Sequence, residues 1–102
     1  MSGRRLAELL TATETQTPQG GQAVSFAPLG WVWLKAGSLR RRERTKAGVA
    51  RTIEMMRVET RTDPRLVAGR VLRFDGDDWT VVAVEPDPAR PGRVHPDLER
   101  RP

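Results

Sequence analysis

The stretch "RVLRFDGDDWTVVAVE" (residues 70–85) limits the folds open to this chain more than any other. Asp75-Gly76 stands between two runs of branched and aromatic residues. Such a pair tolerates the positive φ that a two-residue hairpin turn needs, while its flanks suit a pleated, half-buried surface. A chain of 102 residues holds one modest core. Residues 1–102 therefore form one domain, and the rest of it must supply strands for this hairpin to pair with.

Candidate strands are present on both sides. "RRLAELLTATET" (4–15) is ambiguous, with Leu6, Leu9 and Leu10 at helical spacing and Thr11, Thr13, Thr15 and Thr17 alternating as in a strand. "QTPQGGQ" (16–22) reads as a turn. In "AVSFAPLGWVWLKAG" (23–37), Pro28 and Gly30 predict two short strands or one bent strand. Trp31 and Trp33 share one face and Val32 and Leu34 the other. Both faces are apolar, so the segment is buried on two sides or covered by another subunit. With no tyrosine and two phenylalanines in the chain, Trp31, Trp33 and Trp79 either fill much of the core or contact a partner. "ARTIEMMRVETRT" (50–62) reads as a strand whose parity breaks between Met55 and Met56, as at a bulge, and "DPRLVAG" (63–69) as a turn. Residues 86–102 form a proline-rich tail with one edge strand around Val94.

Charge is concentrated in one place. Residues 35–51 contain Lys35, Arg40, Arg41, Arg42, Arg44, Lys46 and Arg51 against Glu43, a formal +6 within a chain of +5, so the remainder sums to −1. This segment is poor in β-branched residues. Ser38 suits a helix N-cap, and the pattern predicts a short helix through Ala47 with Gly48 near its end. A charge run is commonly a solvated face. Here, though, like charges at helical spacing repel, and arginine's planar fork suits phosphate or carboxylate. Partner contact is the better reading.

No catalytic chemistry is legible. The chain has no cysteine, which removes disulfides and thiolate sites and suits a reducing cytoplasm. The apolar run "LAELL" is too short for a signal-peptide core or a membrane span. His95 is the sole histidine, in a proline-rich context, and reads as an exposed tail residue and not as a metal ligand. Asp75, Asp77 and Asp78 lack the ligand ladder of a calcium loop and read as turn residues. "QGGQ" lacks the features of a phosphate cradle. The expectation is a non-enzyme without cofactor or metal. Its fold is mainly β, a small antiparallel barrel or sandwich with one short helix and a long basic loop inserted between strands 2 and 3.

The order of pieces over Thr17–Arg100 carries a resemblance. "TPQGGQ", then "GWVWLKAGS", "LRRRERTKAGVA", "RTIEMMRVETR" and finally "LVAGRVLRFDGDDWTVVAVEPDPARPGRVHPDLER" together resemble the head–tail joining family of tailed bacteriophages, the head-closure or stopper proteins. Relatives of that family occur in gene transfer agents. Trp33 and the hairpin "GRVLRFDGDDWTVVAVE" carry most of the likeness. The resemblance implies a small β-barrel whose long loop and short helix lie between its second and third strands. It implies a ring, of six subunits by the family pattern or of twelve, at the virion neck between the portal–adaptor complex and the tail. Such a ring is assembled from protein made in the bacterial cytoplasm. It closes the DNA exit and offers the tail, or a tail terminator, a docking surface. Trp31, Val32, Trp33 and Leu34 would then form core or subunit interface. The basic residues from Lys35 to Arg51 would form a collar facing packaged double-stranded DNA or an acidic adaptor surface. The competing reading is a free-standing nucleic-acid-binding β-barrel that uses the same basic segment, with a tryptophan as stacking platform.

Overall fold

The structure, a computed structural model, describes residues 3–46 and 48–100, and of residues 44–46 and 49–51 the backbone only. Six strands follow one another: β1 (Arg4–Gln16), β2 (Gln22–Lys46), β3 (Val49–Arg61), β4 (Val71–Phe74), β5 (Asp77–Pro86) and β6 (Arg93–Arg100). Every pairing is antiparallel, and the order β1-β2-β3-β6-β5-β4 closes on itself where β4 pairs back onto β1. Closure leaves the central sheet without an open edge. The mainly antiparallel β expectation holds.

The Asp-Gly signal forms the turn it predicts. Asp75 and Gly76 have φ of 53° and 79°, and Phe74 pairs with Asp77 across them. The core follows from strand alternation. Leu9, Val32, Leu34, Val58, Leu72, Phe74, Trp79, Val81 and Leu98 point inward, and Leu66 from the loop at 62–70 completes the cluster. Burying each large side chain contributes about 2 kcal/mol. Phe74 and Trp79 stack across the hairpin with ring centroids 6.3 Å apart.

Three sequence expectations need correction, and one left open, the place of the tryptophans, is narrowed. No helix occurs among the described residues. Where one was predicted, from Ser38, the chain continues β2, and Arg40 to Lys46 pair residue by residue with Met55 to Val49. Gly48, at φ 78°, serves the hairpin turn instead of a helix end; Ala47 lies outside the described residues. A ten-residue helix crowded with like charge is weak on its own, whereas the ribbon extends a ladder already formed by the core. Second, Trp79 alone of the three tryptophans is core, 2% exposed, while Trp31 and Trp33 are 60% and 58% exposed. Third, the residues around Val94 form no edge. As β6 they run between β3 and β5, and Pro96 is fully buried. The β3–β6 register skips Val58 and Glu59, opposite Pro96 and His95, where proline has no N–H to give. Fourth, the parity break lies in β2, opposite β3. Glu54, Met56, Val58 and Thr60 alternate inward without interruption, and Gly37 and Ser38 of β2 together oppose Arg57.

β2 explains the shape. A straight strand of 25 residues would run roughly 80 Å, yet the molecule measures 48 × 31 × 24 Å. The strand therefore bends, and its two register shifts lie at Leu29–Gly30 and Gly37–Ser38. At the first, a Cβ on Gly30 would overlap the Arg65 guanidinium, which donates to the Leu29 carbonyl. At the second, a Cβ on Gly37 would overlap the Arg57 carbonyl. Beyond the closed sheet, the outer halves of β1–β2 and β2–β3 project as two-stranded ribbons. They raise the radius of gyration to 15.0 Å, against about 13 Å for a compact domain of this length.

Candidate interaction surface

The outer face of β2 holds the residues that sequence singled out, in two blocks. Directly paired residues share a face, so Leu6 stands beside Trp33, Ala12 beside Phe26, and Glu14 beside Val24. Val24, Phe26, Trp31, Trp33 and Leu6 are all large and exposed. Together they form an apolar stripe along β2 and its neighbour. Val32 and Leu34, the other half of the predicted "WVWL" surface, point into the core. The two-faced reading thus resolves into one buried face and one uncovered face. Thr60 fixes the strand here by donating from its hydroxyl to the Trp33 carbonyl at 2.7 Å.

Past the bulge at Gly37–Ser38 the same outer face turns basic. Arg40 pairs with Met55 and Arg42 with Ile53, so the two arginines line one side of the β2–β3 ribbon, with Lys35 on that side before the bulge. Arg41 lies on the opposite side beside Glu54, at a loose 3.9 Å. Glu59 stands opposite Lys35, but its contacts are with Arg90 and His95, and no carboxylate among the described residues forms an ion pair with Lys35, Arg40 or Arg42. The side chains of Arg44, Lys46 and Arg51 lie outside those described; their backbone continues the ribbon. A groove of about 700 Å³ opens against it, lined by Lys35, Arg40, Arg41 and Arg42 together with Met55 and Met56.

Several arginines elsewhere are occupied. Arg73 makes a two-pronged contact with Asp78 at 2.7 and 3.1 Å, and its guanidinium lies 5.7 Å from the Phe26 ring. This hydrogen bonding holds the Asp78 carboxyl below its ordinary range. Arg65 does the same for Asp63, pinning the loop that carries Leu66. Arg57 bonds Glu85 at 2.7 Å. Arg100 bridges buried Glu54 and Asp77 and lies over the Trp79 ring at 4.5 Å. The acidic trio of the hairpin turn is thereby divided, with Asp75 on Arg5, Asp77 on Arg100 and Asp78 on Arg73.

His95 is not the exposed tail residue that its sequence context suggests. It sits half-buried on β6, with Nε2 2.8 Å from Asp87 Oδ2 and 4.0 Å from Glu59 Oε1. Asp87 accepts the backbone N–H groups of Ala89 and Arg90; these bonds and His95 hold its carboxyl down at about 2. Glu59 lies on β3, 36 positions before His95, and no local pattern links the two.

No family model matches the sequence, and no curated protein matches it. Among solved structures, the fold is similar to a chain of the virion of a native gene transfer agent particle. The TM-score is 0.71 with 19% sequence identity, over 96% of this chain and 94% of that one. At that identity the likeness shows the fold.

Proposed function

We propose that this chain is a structural component of a phage-like particle: a head–tail connector of the stopper type that turns over no substrate. The observation that carries the reading is the match, nearly end to end, to a chain of a gene transfer agent virion. The surface supports it. An uncovered apolar stripe on a small domain is what a ring subunit needs against its neighbour, and tryptophans are the residues most often found at the energetic centre of such contacts. In this reading six subunits close a ring at the virion neck, with the stripe of Trp31 and Trp33 at the subunit boundary. The ring lies between the portal–adaptor complex and the tail, closing the DNA exit and offering the tail its docking surface. Arg40 and Arg42 recur around it as a basic collar, held out for the DNA end or for an acidic adaptor surface.

Particles assembled without the chain test this. They are expected to package DNA and then lose it or fail to join tails. A particle map in which another protein builds the ring at the neck overturns the proposal. Replacing Arg40, Arg41 and Arg42 by serine tests the collar separately: normal DNA retention and tail joining in that variant would remove the collar and leave the ring.

One observation favours the second reading, a nucleic-acid-binding module. Trp31, Trp33, Lys35, Arg40 and Arg42 share the outer face of one strand, so stacking and phosphate contacts lie along a single track. That reading expects the monomer to bind short DNA with a steep salt dependence, about −0.9 in log–log slope per phosphate contacted. Binding that requires the ring, or none at low salt, rejects it.

A further inference from the structure

The geometry points to a divalent transition-metal site at Glu59, Asp87 and His95, with zinc the best-suited ion. Three elements converge there: β3 brings Glu59, the turn after β5 brings Asp87, and β6 brings His95. One ligand atom from each lies within 4.8 Å of the others. The residue types fit a borderline ion. One imidazole with two carboxylates favours zinc or a neighbouring first-row ion, whereas calcium and magnesium seek more oxygens and no nitrogen.

The orientation of the carboxylates is the stronger argument. Each has one oxygen engaged elsewhere and the other turned to the histidine. Asp87 Oδ1 accepts the N–H groups of Ala89 and Arg90, at 2.8 and 2.9 Å, leaving Oδ2 towards His95. Glu59 Oε2 faces Arg90 at 3.5 Å, leaving Oε1 towards His95. Outer hydrogen bonds of this kind hold ligand groups in place. Across a tetrahedral zinc, ligand atoms stand about 3.3 Å apart. The present separations of 2.8 and 4.0 Å bracket that value, so small side-chain rotations admit the ion. Bound there, it takes the His95 Nε2 lone pair with the ring proton on Nδ1. The two carboxylates balance its charge, and one position stays open to water at the half-exposed surface. Such an ion ties β3 to the turn that leads into β6.

The test is clean because the untagged chain has one histidine and no cysteine. Zn2+ alone is titrated by calorimetry, and Co2+ by visible absorption. One equivalent is expected to bind, and His95→Ala or Asp87→Asn to weaken it at least tenfold. Arg90→Ala removes the side chain that holds Glu59 Oε2 without touching a ligand, and is expected to weaken binding by less than loss of a ligand does. No Co2+ band and no heat at millimolar Zn2+ overturn the site, as does binding undiminished in His95→Ala. Should the ligand variants fail to fold, the His95 ring resonances of the unaltered protein decide. They shift on adding Zn2+, or the three groups are an ion-pair cluster only. The isolated subunit suffices, so the result stands apart from any role in a particle.

Discussion

The β2–β3 ribbon and the end of the sheet formed by β4, β5 and β6 are both rich in arginine, and they use it in opposite ways. At the closed end Arg73, Arg57 and Arg100 each have a carboxylate within hydrogen-bonding reach, and Arg100 also covers the Trp79 ring. On the ribbon, Arg40 and Arg42 form no ion pair with any carboxylate among the described residues. The first group holds strands together. The second makes no internal ion pair, which leaves its charge open to an outside anion. The contrast separates arginines that stabilise the fold from those available for binding, which a charge count cannot do.

The contrast is most directly broken at Arg100. Arg100→Ala strands the buried Glu54 carboxylate with only distant Arg41 for company, and is expected to cost about 3 kcal/mol in chemical denaturation. A loss under about 1 kcal/mol would show that the closed end does not depend on its charge pairs. Next is Gly37→Ala, whose new methyl meets the Arg57 carbonyl. About 2 kcal/mol is expected, since backbone must shift to admit it; an unchanged midpoint would mean that the bulge yields freely. Third, serine at Arg40 and Arg42 is expected to alter stability by about 0.5 kcal/mol or less per site. The same change should lower the affinity for heparin or short duplex DNA several-fold at low salt. Equal retention by a heparin column would show that the ribbon is not the anionic contact.

The smallest effect is with pH. Asp63 and Asp78 have carboxyls held below their ordinary 3.8 by Arg65 and Arg73. The stability these pairs contribute is full above that value and is lost as pH falls through their lowered folded values. Amide exchange in the loop at 62–70 should quicken below about pH 3.8, where protonation begins to release Asp63. The ribbon amides around Arg40 and Arg42, lacking such partners, should show no matching step.

Sequence revealed the parts whose signals are local. The Asp75-Gly76 hairpin with its two strands and the turn at 16–22 follow from neighbouring residues. The alternating threonines of β1 were the better guide there than the leucines at helical spacing. What escaped depends on residues far apart. Whether Leu39–Lys46 coils or extends is decided by Val49–Met56 lying alongside. Whether residues 93–100 fray or fill a gap is decided by β3 and β5, which receive them on both sides. The site was legible in composition but not in arrangement. Trp31 and Trp33 announced a face without saying whether it was covered. The approach of Glu59 and Asp87 to His95 required the closed sheet itself.

Gly37 and Ser38 do more than bend a strand. Between the first register shift and Gly37, odd-numbered residues of β2 look outward, among them Trp31, Trp33 and Lys35; after Ser38, even-numbered ones do, among them Arg40 and Arg42. One surplus residue thus works as a phase shifter. Deleting it would rotate the cationic row half a turn, presenting Arg41 and Glu43 to the exterior and sending Arg40 and Arg42 to the side of Leu34. In this chain, the choice of guanidinium groups shown to the outside is written in a two-residue interval that carries no charge at all.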